Sequence, residues 1–110
     1  MATANVDTAT LTTIINQCFT YSMNLQFSPQ DRNSFLVEGK RLRGQLLNLL
    51  SAQFDAASPQ LAAANQNLIQ VNSSLSKSAT VFANAGQTLN NIAALVGTLD
   101  KLLSIATSFV

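Results

Sequence analysis

Few side chains in this 110-residue sequence could carry out chemistry. Cys18 is the only cysteine, and the chain has no histidine. Without histidine, Ser-His-Asp and Cys-His catalysis and histidine-ligated metal centres are excluded. Cys18 falls among apolar residues of a predicted helix, where a thiol behaves as a small buried hydrophobe. We therefore expect no catalytic residue, no cofactor and no metal ligand.

The five carboxylates are spread along the chain: Asp7, Asp31, Glu38, Asp55 and Asp100. Asp7 and Asp31 stand where helices are predicted to begin, and a negative charge is favoured there. Asp55 falls near a predicted helix end, where the helix dipole disfavours it. Acid–base chemistry would need two carboxylates from different helices to converge, and no spacing indicates that. The sequence predicts that the protein is not an enzyme.

One cluster of like charge stands out in the second predicted helix. It consists of Arg32, Lys40, Arg41 and Arg43. A solvated helix surface explains these cations, because Asp31 and Glu38 lie close by. If an anion or nucleic acid binds anywhere, this cluster is the predicted contact. The formal net charge of +1 makes nucleic acid an unfavoured partner, since a balanced chain displaces few counterions.

An apolar row provides a second candidate surface. The first predicted helix has one apolar stripe through Leu11, Ile14 and Cys18, which would satisfy a single core. A further row steps by four residues beside it and continues across the turn, and it consists of Phe19, Met23, Phe27 and Phe35. The row is either buried in the same core or presented to a partner. Because it is surplus to one core face, it slightly favours an interface with a second copy of the chain or another helical protein.

Helix starts can be read from local residue types. Ser28-Pro29 and Ser58-Pro59 each place a capping hydroxyl before a proline, which suits the first helical position. Asp7, with Val6 before it and Leu11 after it, has the spacing of a third helix start. We predict helices over about 8–26, 29–57, 59–84 and 87–109.

From Leu61 to Val110, apolar residues recur at alternating spacings of three and four, with Ser78 as the single polar position. This pattern is typical of helical bundles and coiled coils. Gly86 predicts a left-handed helix cap and a reversal near residues 84–87. The alternative is that the seam continues as one long helix, which would need partners from other chains.

The sequence as a whole predicts one all-α domain over residues 1–110, an up-and-down antiparallel four-helix bundle. The alternative is two shorter helices plus one long C-terminal helix in an oligomer. Hydrophobic residues make up 47% and charged residues 10%, which disfavours intrinsic disorder and favours self-association.

The predicted function is that of a non-catalytic interaction or structural module. The alternatives are a membrane-active or secreted assembly subunit, and a weak anion or nucleic-acid binder. Without an evident signal peptide or membrane span, we expect a cytoplasmic location, with leaderless secretion left open and a membrane as an unfavoured partner.

Overall fold

The computed structural model describes residues 2–109, most of which are helical. Three short strands accompany the helices, so the prediction of a helical chain is correct in the main and misses a small sheet. The elements in chain order are β1 (Thr3–Ala4), α1 (Thr8–Ser22), α2 (Pro29–Leu49), β2 (Ala52–Asp55), α3 (Pro59–Leu75), α4 (Ser78–Ala83), α5 (Ala85–Leu103) and β3 (Ser108–Phe109).

The three predicted capping residues begin helices as expected. Asp7 accepts a hydrogen bond from the backbone N–H of Thr10, at the start of α1. Ser28 and Ser58 accept from the N–H groups three residues on, at 3.1 and 3.2 Å, at the starts of α2 and α3. Each cap satisfies a donor that the first helical turn leaves without a partner.

The second helix ends at Leu49, eight residues before the predicted end at 57. Phe54 continues the spacing of four set by Leu42, Leu46 and Leu50, which is why the pattern resembles a helix. Instead, Ala52 and Phe54 of β2 are buried while the residues between and after them are half-buried. This alternation with period two is that of a strand with one face on the core.

Asp55, which the helix dipole disfavours at a helix end, belongs to a turn. Its carboxylate accepts a hydrogen bond of 2.9 Å from the N–H of Ala57, and its backbone carbonyl accepts one from Ser58. An aspartate that bonds to the backbone two residues on stabilises a tight turn. Asp55 therefore ends β2 and leads the chain into the capped start of α3.

The sheet has the order β1-β2-β3 and both pairings are antiparallel. Ala4 pairs with Phe54, and Ala52 pairs with Phe109. The side chain of Asn5 donates to the carbonyl of Ala52, which extends the contact beyond β1. The sheet thereby joins the first and last described segments to the link between α2 and α3.

The predicted helix over 59–84 is broken. It ends at Leu75, α4 follows as a short helical segment, and α5 begins at Ala85. Gly86 lies inside α5 and no glycine has positive φ among residues 2–109, so the predicted left-handed cap is wrong. The alternative of one long helix is also wrong, because the chain reverses and α5 packs against α3.

The four longer helices pack in a ring. α1 packs against α2 and α3, and α5 packs against the same two helices. Contacts of Phe19 with Gly39 and of Tyr21 with Phe35 show that α1 and α2 are antiparallel. The N–H of Asp7 donates to Asn65 near the start of α3, and Tyr21 donates to Leu75 at its end. Hence α1 and α3 run in the same direction.

The predicted heptad seam holds along α3 and shifts along α5. All five α3 positions are buried: Leu61, Ala64, Leu68, Val71 and Leu75. In α5 the buried residues are Thr88, Ile92, Leu95, Leu99 and Leu102. The expected seam residues Leu89, Val96 and Leu103 are only half-buried. The reversal between the helices frees α5 to set its own rotation against the core.

Candidate functional site

Two of the four residues predicted to form an interface lie inside the chain. Phe27 and Phe35 are buried, with ring centroids 5.2 Å apart. Phe82 of α4 packs 4.8 Å from Phe27, and Tyr21 packs 5.4 Å from Phe35. These four rings fill the end of the molecule opposite the sheet. The predicted apolar row therefore does not form one exposed surface, because the α1–α2 turn folds Phe27 and Phe35 inward.

Phe19 and Met23 of that row lie at the surface to different degrees. Phe19 is half-buried, and the guanidinium of Arg43 lies over its ring, 5.5 Å from the centroid. Met23 is 73% exposed at the end of α1. The arginine lies over the Phe19 ring in a cation–π contact, while Met23 has no such cover.

The four predicted anion-contact residues separate into different environments. Arg41 forms an ion pair with Glu38, with 3.0 Å between the guanidinium nitrogen and the carboxylate oxygen. Arg32 is half-buried near the start of α2, and its Nε has no hydrogen-bond partner within residues 2–109. Lys40 and Arg43 are exposed. The structure thus keeps two of the four cations together on one open face.

Those two cations belong to a row of five residues along α2 and its C-cap residue, which we call the α2 outer seam; its first leucine is half-buried and its other four residues are exposed. It consists of Leu36, Lys40, Arg43, Leu47 and Leu50. The spacing is four, three, four and three residues, which places all five along one line of a helix. Leu47 is 69% exposed and Leu50 is 56% exposed.

The outer seam contains no acidic residue. Glu38 is buried, and Asp31 lies half-buried in the first turn of α2. The sequence does carry a signal for the seam, because α2 has more leucine rows than one core face needs. Leu42 and Leu49 supply the buried row, which leaves Leu47 and Leu50 for the surface.

Cys18 is fully buried, as predicted for a small hydrophobe. Burial and, to a smaller extent, the nearby Glu38 carboxylate together raise the pKa of its thiol to about 12. The reactive species of cysteine is the thiolate, which is therefore scarce near neutral pH. Cys18 fills the contact between α1 and α2 and has the properties of a packing residue.

An open groove of about 560 Å³ lies between α2 and α5, and none of the residues that line it belongs to the outer seam. The carboxamide of Gln45 donates 2.8 Å hydrogen bonds to the carbonyl of Val96 and to the carboxylate of Asp100. Gln45 is buried, so these bonds satisfy its N–H donors while joining the two helices. Gln45 therefore links α2 to α5 by hydrogen bonds at this groove.

Neither a metal cluster nor a membrane span is found within residues 2–109. No group of three or more His, Cys, Asp or Glu side chains there could hold a metal ion. In the same range no helix is both long and apolar enough to cross a bilayer. Comparisons with protein-family models, curated proteins and solved structures gave no match.

Proposed function

We propose that this chain is a non-catalytic helical interaction module and that the α2 outer seam is its binding surface. The observation that carries the proposal is the 4-3-4-3 row of three leucines and two cations, of which all but the half-buried Leu36 are exposed. From Leu36 to Leu50 this row extends over about 21 Å at 1.5 Å per residue. A helix of similar length could pack along all of it.

The proposed fold is an up-and-down bundle of α1, α2, α3 and α5, closed at one end by the small sheet. Two antiparallel hairpins, α1–α2 and α3–α5, pack side by side with parallel contacts between them. This arrangement supports the proposal because α2 is held on both sides, by α1 and by α5. A rigid helix presents its outward residues in fixed positions, which lowers the entropy lost on binding.

The exposed leucines support the same proposal energetically. Burial of apolar surface contributes about 25 cal/mol per Å², so Leu47 and Leu50 leave this stabilisation unrealised in the isolated chain. Single exposed leucines are ordinary on protein surfaces. Here they continue a seam of regular spacing, which is the pattern of a helix-packing surface.

Site-specific photo-crosslinking tests this proposal. A photoreactive phenylalanine analogue replaces Leu47, and in a matched control it replaces Ile69, which is 58% exposed on α3. In the cells that express the protein, we expect one discrete adduct from position 47, lost in the Lys40→Glu/Arg43→Glu background, and none from position 69. Equal labelling from both positions would contradict the proposal.

Self-association is the second candidate function, and the sheet favours it. β3 forms one edge of the sheet, and Phe109 on this edge is 59% exposed. An edge strand carries backbone donors and acceptors that a second copy can pair with. Sedimentation velocity tests this: we expect a dimer that Phe109→Asp converts to monomer. A wild-type monomer at all concentrations would contradict self-association and leave the first proposal intact.

A further inference from the structure

We infer that the partner of the α2 outer seam is an acidic amphipathic helix. In this pairing, carboxylates face Lys40 and Arg43, and apolar side chains face Leu36, Leu47 and Leu50. The inference rests on the proposed function and adds the chemistry of the partner.

The geometry of the seam points to a helix. Leu36, Arg43 and Leu50 are seven residues apart, as are Lys40 and Leu47. A strict seven-residue repeat is the spacing that keeps one stripe facing a partner helix along its length. The row lies along one side of α2 and its C-cap residue, so a helix packing alongside would meet every member of it.

The charges of the seam point to an acidic partner. Within residues 2–109 the ion pair found joins Glu38 to Arg41, so no carboxylate in that range is paired with Lys40 or Arg43. The contact with Phe19 holds the guanidinium of Arg43 against α1. Covering these charges with an apolar surface would leave them desolvated and unpaired, which is strongly unfavourable. Carboxylates on the partner remove that cost.

A second copy of the chain fits this seam poorly. Arg43 is the midpoint between Leu36 and Leu50, so an antiparallel pair of seams places Arg43 against its own copy. A parallel pair places Lys40 against Lys40 and Arg43 against Arg43. Like charges that face each other across a helix pair are destabilising. Self-association of this chain is therefore expected elsewhere, such as at the sheet edge.

The order of residues also disfavours an anionic bilayer and a nucleic acid. A helix that lies in a bilayer separates a continuous apolar face from a polar rim. In the outer seam, Lys40 and Arg43 interrupt the leucines in the middle of the face. A nucleic acid would use the two cations but has no contact that buries Leu47 and Leu50. An acidic amphipathic helix matches both kinds of residue.

Synthetic peptides of three heptads test the inference. The acidic probe carries a Leu-Glu-Glu-Leu-Leu seam at the same 4-3-4-3 spacing, and a second version reverses the order for the opposite helix direction. Control probes replace Glu with Lys, or scramble the acidic sequence so that the spacing is lost. Binding to the full chain is measured by fluorescence anisotropy at physiological ionic strength, and vesicles containing phosphatidylserine form a separate arm.

We expect the wild-type chain to bind an acidic probe about two- to thirtyfold more tightly than the scrambled or Lys probes, which is the factor that two ion pairs of about 0.2–1 kcal/mol each supply. Lys40→Glu/Arg43→Glu should lose this preference and gain binding to the Lys probe. The matched control is Lys77→Glu/Lys101→Glu, which makes the same change in net charge at exposed positions outside the seam. It should bind the acidic probe as the wild type does.

A second variant separates recognition from folding. Leu47→Asn/Leu50→Asn changes only exposed side chains, so circular dichroism should show unchanged helicity while binding to the acidic probe falls. Equal binding of acidic, Lys and scrambled probes would overturn the inference. Vesicle binding that depends on Lys40 and Arg43, without peptide binding, would overturn the partner class and keep the surface. If the chain binds neither peptides nor vesicles, and position 47 gives no crosslink, the proposed function is overturned as well.

Discussion

The two helical hairpins of this protein are built differently. In the α1–α2 hairpin, a Cβ added at Gly39 would lie 3.0 Å from a ring atom of Phe19 and 3.2 Å from the Cβ of Cys18. This hairpin also carries the outer seam and three of the four rings of the aromatic cluster, the fourth being Phe82 of α4. In the α3–α5 hairpin, Gly97 faces open space, and the α3 core row is aliphatic.

This difference separates two ways in which a helix pair is specified. In the first hairpin, the close approach of the helices at one glycine and the packed aromatic rings limit which side chains fit, because packed interiors tolerate added atoms poorly. The second hairpin depends on regular apolar spacing, which many sequences satisfy. The more tightly specified hairpin is also the one that presents the exposed seam, so fixed geometry and the proposed binding surface occur in the same half of the molecule.

The largest expected effect comes from the aromatic cluster. Phe35→Ala should lower the free energy of unfolding by about 3–5 kcal/mol, because it removes a fully buried ring and leaves a cavity. Leu68→Ala, at a fully buried aliphatic position of α3, should cost about 2–4 kcal/mol. Urea denaturation measures both. Leu25→Ala, at an 81% exposed position, serves as the control and should change stability by less than about 0.5 kcal/mol. A larger loss of unfolding free energy from Leu68→Ala than from Phe35→Ala would contradict the ranking in which the α1–α2 hairpin is the more tightly specified.

A pH titration tests the buried contact between α1 and α2. Burial raises the pKa of Cys18 from 9.0 to about 12, so the folded state keeps its proton where the unfolded state releases it. The thiol's contribution to stability is complete below about pH 9 and is lost as pH rises toward 12. We expect unfolding free energy to fall by about 1.4 kcal/mol per pH unit in this window.

The control for the titration is Cys18→Ala, which removes the ionising group. Burial also raises the pKa of Tyr21, so Tyr21→Phe is added to isolate the thiol. The decline above pH 9 should become shallower in Cys18→Ala, as followed by urea denaturation from pH 7.5 to 10.5. An unchanged slope would show that the thiol does not titrate differently in the folded and unfolded states.

The smallest expected effects come from two glycines, and they have opposite signs. Gly39→Ala should destabilise the fold by about 1–2 kcal/mol, because the added methyl group meets Phe19 and Cys18 and outweighs the gain in helix propensity. Gly97→Ala, where nothing lies within 4 Å, should stabilise it by about 0.5–1 kcal/mol. Thermal unfolding of both variants measures the difference. Changes of the same sign would show that the two hairpins are packed alike.

The helix starts were predictable from sequence and the helix ends were not. Ser28 and Ser58 bond to groups three residues away, so the information for a start is local. The end of α2 depends on β1, which is about fifty residues earlier in the chain and pairs with Phe54. A period-four row that passes through Phe54 cannot reveal a partner so distant in sequence.

The candidate site was predicted only in part, because some of its features also depend on contacts between residues distant in the sequence. The cations of α2 were identified as the only like-charged cluster, and Lys40 and Arg43 do lie together on the surface. The sequence could not separate Arg41, which turns to Glu38, or assign Leu47 and Leu50 to solvent. Phe27 and Phe35 had the spacing of a surface row, but the turn between α1 and α2 places them in the core.

The sequence by itself determined the helical class, the capped starts of α1, α2 and α3, and the buried row of α3, because hydrogen bonds and apolar spacing within one segment encode them. Only the tertiary structure decided the sheet, the reversal between α3 and α5, and which leucines of α2 face outward. Each of these depends on which residues, far apart in the chain, occupy the same core. The sequence of one segment does not contain that information.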